Sequence, residues 1–504
     1  MAIVSEKRSS KIIPIVLIML GILLIVRAYV ANRPLWGDET SLIADILSNS
    51  FAGLTKPFEN EEVAPTGFLF LQKSIALLFG NKDFVFKIIP CAAGITGILF
   101  MYKVAKQYLK KGTAYLFALG LFIVSGNLIW YATEAKQYSS DVAVALVLLW
   151  IGYKCTEESA NSRTFKILAF VGILAQWFSY PAIFILSAIG IGLGLSFLLA
   201  KDWKKLFWLG LALVLSIINF AFIYFFFLRS RSSGSYLLSS WQQYFMPMPP
   251  WQNPAWFYQM LLLWINNPMG FSNVPLTIIL LTVGCVSMFL RKWQLAIYLV
   301  FPCFITLLAS GFQKYPFANR LLLFTLPLAY ILIAEGLERI RLVLHTLPWI
   351  KINSQIANTC YLFLAVWLMI TPASGAFQEF LHPSRGDDIT TSMAYVRDHR
   401  LSTDKIYVNY DAVGPFQYYA SSYGFKDSDY IGGIESGQNP EKYIEDIQKL
   451  RGNPRVWFIF SHFCPYCNED TFIRKYLYRI GTKLDTLQVS GGVVYLYDLS
   501  YHNP

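Results

Sequence analysis

The chain has 504 residues, of which 55% are hydrophobic and only 14% charged, against about 25% charged in an ordinary soluble domain. It therefore reads as an integral membrane protein rather than a soluble protein with a large core. Its net charge of +11 fits Lys and Arg held in cytoplasmic loops, and no basic, aromatic-interleaved stretch marks a nucleic-acid partner.

Lys7, Arg8 and Lys11 precede an apolar run over 12–31. That run has the length of a membrane span, exceeds a signal-peptide core and lacks a small-residue cleavage site. It is read as a retained first helix with a cytoplasmic N-terminus. The first outer loop, 32–83, opens on Trp36-Gly37-Asp38-Glu39-Thr40. Adjacent carboxylates at a membrane surface are costly to place and point to chemistry. The same Asp-Glu pair before an apolar stretch is also a good helix start. Two apolar stretches of this loop, 40–50 and 65–80, are expected to lie along the outer surface.

Further spans are expected at 84–107, 112–130, 138–154, 166–182, 183–200, 205–228, 272–290, 293–311, 319–338 and 356–372, about eleven in all with the first. With 65–80 read as non-spanning, eighteen Lys and Arg fall on the cytoplasmic side. Between 131 and 320 the opposite loops hold only Lys136, Arg229, Arg231, Lys314 and Arg320. A crossing at 65–80 would invert that bias. Glu335 and Glu338 then sit at a cytoplasmic end, where solvation is expected.

After about 375 the charge rises and ordinary alternation returns. Strands are expected at 405–410 and 455–461, amphipathic helices at 440–450 and 469–480, and a hairpin turn at 489–493. The expected fold class is mainly α: a polytopic membrane domain over 1–375 with surface helices, followed by a small α/β domain over 376–504 outside the membrane.

The unusual polar residues share one side of this topology. The first outer loop holds Asp38, Glu39, Glu59, Glu61 and Glu62. The second outer junction runs from Tyr131 through Glu134, Lys136 and Tyr138 to Asp141. The later outer loops bring Arg229, Arg231, Trp241, Lys314, Tyr315 and Arg320. Carboxylates, cations and aromatics beside lipid suit a lipid-phosphate sugar donor. A carboxylate can take the acceptor's proton, Lys and Arg can stabilise the departing phosphate, and aromatics can stack on sugar. No P-loop or dinucleotide fingerprint calls for a nucleotide. The five His show no metal-ligand spacing.

The order of first span, Asp-Glu pair, surface helices, Pro-led apolar segment and acidic second junction resembles the GT-C superfamily of integral-membrane glycosyltransferases. It is most similar to the protein O-mannosyltransferase and lipid A aminoarabinose transferase group. The resemblance implies that Asp38 is the catalytic acidic residue, with Glu39 completing the pair. Ala64-Pro65-Thr66-Gly67 resembles the family's Pro-Pro segment, with Ala in place of the first Pro. That makes Glu62 a second acid, with Glu61 as its rival. Glu134 and Asp141 match a junction whose carboxylates position acceptor, sugar or metal. Lys136, Lys314 and Arg320, then Arg229 and Arg231, are candidates for the donor phosphate, and Trp36, Tyr131, Tyr138 and Tyr315 for sugar or lipid contact.

The reaction so implied transfers a sugar from a polyprenyl-phosphate donor to an acceptor hydroxyl, with inversion, at the outer face of the cytoplasmic membrane. The acceptor can be protein, lipid or polysaccharide. No cofactor is required, and a divalent cation held by Asp38, Glu134 and Asp141 is left open. A lipid-linked saccharide flippase or a polysaccharide polymerase is the alternative. The outer domain has two candidate roles, binding the acceptor or supporting the loops. Cys464-Pro465-Tyr466-Cys467 resembles a glutaredoxin motif, but too little chain follows for that fold, so it is read as an internal disulfide.

Overall fold

The computed structural model describes residues 2–58, 62–109, 113–231, 239–346, 354–434, 440–461 and 469–500. Glu59, Glu61, Cys464 and Cys467 lie outside the described residues. The chain divides into two compact units, one of 1–31 with 50–382 and the other of 32–49 with 383–504.

The larger unit is helical. Among the described residues, eight helices are long and apolar enough to cross a membrane. Helix α1 spans Ala2–Ala31. Helix α3, Thr66–Phe79, has 14 residues, roughly 21 Å at 1.5 Å per residue, too short for a core about 30 Å thick. Helices α4 (Asp83–Phe86) and α5 (Ile88–Tyr108) follow. The expected span at 112–130 is broken into α6, Ala114–Ile123, and α7, Gly126–Tyr131, where the Ser125 hydroxyl caps α7. Helices α8 (Tyr138–Thr156), α9 (Ser162–Phe178), α10 (Ala182–Leu199) and α11 (Trp203–Ile223) come next. The expected pair 272–290 and 293–311 is found within Val274–Gly311, as two helices that meet at a kink where Lys292 has non-helical backbone.

Helix Leu326–Thr346 runs through the centre of this unit and is buried from Leu326 to Glu338. It packs closely on Val274–Gly311, because a Cβ on Gly284 would strike the Leu332 carbonyl and one on Gly336 the Leu280 carbonyl. Small residues are what let helix backbones approach this closely in lipid. Glu335 and Glu338 correct the expectation of solvation, for both are buried. Glu335 accepts from Arg291 at 2.8 Å and from the Ser287 hydroxyl at 2.7 Å, and Glu338 pairs with Arg341. Partnered in this way, a carboxylate can be buried at a helix contact.

The smaller unit combines helix α2, Gly37–Ser48, with a five-stranded sheet. The strands are β1 Lys405–Val408, β2 Ile431–Gly432, β3 Val456–Ser461, β4 Thr482–Val489 and β5 Gly492–Asp498. Their order is β2-β1-β3-β5-β4. Strand β1 lies parallel to β2 and β3, and β5 antiparallel to β3 and β4. Every residue of β3 is buried, as befits a central strand covered on both faces. The turn between β4 and β5 places Gly491 at φ 66°, a conformation that glycine adopts freely.

Candidate functional site

In the smaller unit the Asp-Glu pair divides its work. Trp36 precedes α2 in extended backbone, and Asp38 and Glu39 fall in the first turn. Glu39 is 0% exposed. Its Oε2 accepts from the Arg33 guanidinium at 2.6 Å and from the Trp36 backbone N–H at 3.2 Å. It therefore closes the helix start, as an acid at the third position of a helix does in a capping box. Asp38 is half-buried on the same turn. Arg33 was not singled out in the sequence. Its signal is weak, being only a cation six residues before the acid it neutralises.

The larger unit assembles the second outer junction. Helix α7 ends at Tyr131 and α8 begins at Tyr138, so 132–137 form a tight turn. Glu134 is 1% exposed, Lys136 3% and Asp141 5%. The Trp130 indole N–H donates to Glu134 at 3.0 Å, a pair at helical spacing. Lys136 reaches Glu62 at 2.6 Å rather than pairing with Glu134. The Gln137 amide donates to the Val63 carbonyl at 3.3 Å. The second junction is thus fastened to the end of the first loop just before α3.

Asp141 is not the cap of α8, a position held by Gln137; it lies inside the first turn with the Ser179 hydroxyl beside it. Tyr315 is close enough to feel it. Burial first, then the charges of Asp141 and Tyr138, push the Tyr315 hydroxyl well above its ordinary range. Tyr315 donates to the Leu321 carbonyl at 2.8 Å. Tyr131 and Tyr138 meet edge to face at 5.3 Å. The Arg320 guanidinium lies 5.6 Å from the Tyr138 ring centre and 5.9 Å from that of Trp241, within cation–π range.

The other basic candidates stand apart from that neighbourhood in their roles. Arg231 is buried and spends its guanidinium on backbone, donating to the carbonyls of Leu54, Lys56 at 3.2 Å and Ala64 at 3.0 Å. The Tyr180 hydroxyl donates to the same Ala64 carbonyl at 3.0 Å. Three of five N–H donors committed to loop carbonyls make Arg231 a clamp of the first loop rather than a phosphate ligand. Arg229 and Lys314 are exposed. Among the described residues, no group of three or more His, Cys, Asp or Glu converges on a point that could hold a metal.

An apolar groove of about 570 Å³ lies between α3, α5, α8 and α9. Its wall includes Leu71, Ile89, Val144, Val171 and Phe178. It also includes Ser140, next in sequence to Asp141.

No family model matches the sequence, and no curated protein matches it. Solved structures do. ArnT from Cupriavidus metallidurans bound to undecaprenyl phosphate is 14% identical with a TM-score of 0.53, covering 96% of this chain and 97% of that one. AglB, the oligosaccharyltransferase of Archaeoglobus fulgidus, in complex with an inhibitory peptide and a dolichol-phosphate, is 10% identical with a TM-score of 0.51, covering 96% of this chain and 74% of that one. A further structure of the A. fulgidus enzyme, with Zn and sulfate, has 12% identity and a TM-score of 0.52, covering 88% and 67%. These proteins are GT-C members, and the likeness bears out the expected GT-C fold.

Proposed function

We propose that this chain transfers a sugar from a polyprenyl-phosphate donor to an acceptor hydroxyl at the outer face of a cell membrane. The observation that carries the reading is the second-junction set, with Glu134, Lys136, Tyr138 and Asp141 buried, Lys136 paired to the half-buried Glu62 and Arg320 over the Tyr138 ring, at the start of helix α8, whose Ser140 lines the apolar groove. A head group with phosphate and sugar needs cations and aromatics, and a prenyl chain needs an apolar furrow. The fold agrees with this, since the ArnT structure holds undecaprenyl phosphate and the AglB structure a dolichol-phosphate. The excess of Lys and Arg in alternate loops supports a cytoplasmic N-terminus and an outer site.

In this mechanism the acceptor oxygen attacks the anomeric carbon while Asp38 takes its proton. The bond from that carbon to the phosphate oxygen breaks from the opposite face, so the configuration inverts. Charge builds on the departing phosphate, where Lys136 and Arg320 supply positive charge. Glu134 and Asp141 position sugar or acceptor hydroxyls, and Glu62 sets the position of Lys136. Prenyl phosphate stays in the groove as the product to be released.

The test is transfer from a labelled lipid-linked sugar in vesicles containing wild-type protein or Asp38→Asn at equal expression. The reading expects loss of transfer in the variant. Turnover retained by Asp38→Asn would refute Asp38 as the base.

A further inference from the structure

Helix α2, which carries Asp38, belongs with the C-terminal domain and not with the helical unit that follows it in sequence. We propose that the C-terminal domain is the mount of the candidate base, and that Tyr419 is its positioning residue. The proposal rests on the reading of Asp38 given above.

Helix α2 packs along helix Tyr410–Ala420 of the C-terminal domain. It presents Leu42, Ile43 and Ile46 inward, all fully buried, and Leu35 just before it is buried as well. A 12-residue helix is marginal by itself in water, so its place is set by what it packs against. At one point of this contact Gly414 faces the Ser41 hydroxyl, with room for a Cβ at 3.8 Å but not for a larger branched side chain.

A long-range hydrogen bond helps to fix the entry to α2. The Leu35 backbone N–H donates to the Tyr419 hydroxyl at 2.8 Å, across 384 residues of sequence. Leu35 precedes the helix and cannot join its ladder, so this buried donor needs an outside acceptor. Tyr419 is itself held edge-on against Tyr418 at 4.9 Å and Tyr423 at 6.5 Å. Arg33 and Glu39 tie the same turn from within, at 2.6 Å. Asp38 thus stands on a short segment fastened both within itself, by Arg33 and Glu39, and to the domain, through Tyr419. A base displaced by about 1 Å can lose on the order of a hundredfold in rate. The domain's contribution to catalysis is then geometric, and it needs no contact with donor or acceptor.

The experiment compares full-length wild type, Asp38→Asn, Tyr419→Phe and Gly414→Leu by steady-state transfer and by amide hydrogen exchange across 35–41. Tyr419→Phe deletes only the accepting oxygen. Gly414→Leu pushes a branched side chain against Ser41 without touching that bond, so the proposal does not depend on one variant folding. Both are expected to lower kcat roughly tenfold or more, to leave the donor KM within about twofold and to speed exchange over 35–41. The β1, β3 and β5 amides should keep wild-type protection. With Asp38→Asn inactive, wild-type kcat in both mount variants overturns the positioning role. With Asp38→Asn active, the catalytic reading falls, and exchange alone decides the mount: unchanged protection over 35–41 overturns it.

Discussion

The ion pair between Lys136 and Glu62 separates a structural role from a chemical one. Lys136 is 3% exposed and its partner carboxylate 19%, at 2.6 Å. Removing one member of a buried pair costs about 3–5 kcal/mol, because the other is left desolvated. Glu62 keeps some access to water, so Lys136→Met is expected to destabilise by about 2–3 kcal/mol. Glu62→Gln leaves the more deeply buried cation unpaired and should cost as much or more. The double variant removes both charges, and most of the stability should return, giving a coupling of about 4 kcal/mol in the cycle. Activity should behave otherwise. If Lys136 faces the departing phosphate, its loss costs on the order of a hundredfold or more in kcat, and the double variant stays as slow as the single one. Thermal unfolding in detergent and transfer assays on the same four preparations give both cycles. Recovery of activity alongside stability in the double variant would refute a phosphate role and leave Lys136 a loop fastener.

Four shorter predictions accompany it. Arg33→Met should destabilise the smaller unit by about 3 kcal/mol by removing the cation paired with the fully buried Glu39, seen as a lower unfolding temperature, and Arg33→Met with Glu39→Met should recover much of it. Arg231→Lys keeps the charge but loses the fork that spans three carbonyls, so limited proteolysis should cut the 50–64 segment faster while donor KM changes little. Ala143→Trp fills the apolar groove and should raise the KM for a long-chain prenyl donor more than for a short-chain analogue. Asp429 accepts from the Lys426 backbone N–H and from Arg400, each at 3.2 Å, and these hold its carboxyl below the usual 3.8. A lowered folded-state pKa gives stability that is present above 3.8 and lost as pH falls through the lower folded value. Asp429→Asn should therefore unfold more readily than wild type at neutral pH and match it at the acid end of that window.

Local pattern carried much of this molecule. The apolar runs, the shortness of 65–80 and the strands around 405 and 456 could be read directly, because each is decided by twenty or fewer consecutive residues. The gathering of Glu134, Lys136 and Asp141 was legible for the same reason, since one turn and the start of α8 hold them. What could not be read is pairing over distance. Lys136 and Glu62 are 74 residues apart and Leu35 and Tyr419 are 384 apart, and neither leaves a spacing to detect. Glu39 had two readings, helper to Asp38 or helix-start charge, and the motif did not separate them; the backbone of the helix start and Arg33 claim its carboxylate. Glu335 was misplaced because its burial depends on Arg291 from another helix, which composition does not announce, whereas Glu338 pairs locally with Arg341 and is buried by the packing of its helix. Arg231 was offered as a phosphate ligand on charge alone, whereas the loop carbonyls it holds lie more than 160 residues earlier.

The measurement that bears most directly on the account is the fate of a donor labelled in both sugar and lipid, presented to purified protein in proteoliposomes with an acceptor mixture. The account predicts that free prenyl phosphate appears in step with acceptor-bound sugar of inverted anomeric configuration, and that Asp38→Asn produces neither. Donor that crosses the bilayer intact, with no release of prenyl phosphate by the wild type, would contradict it.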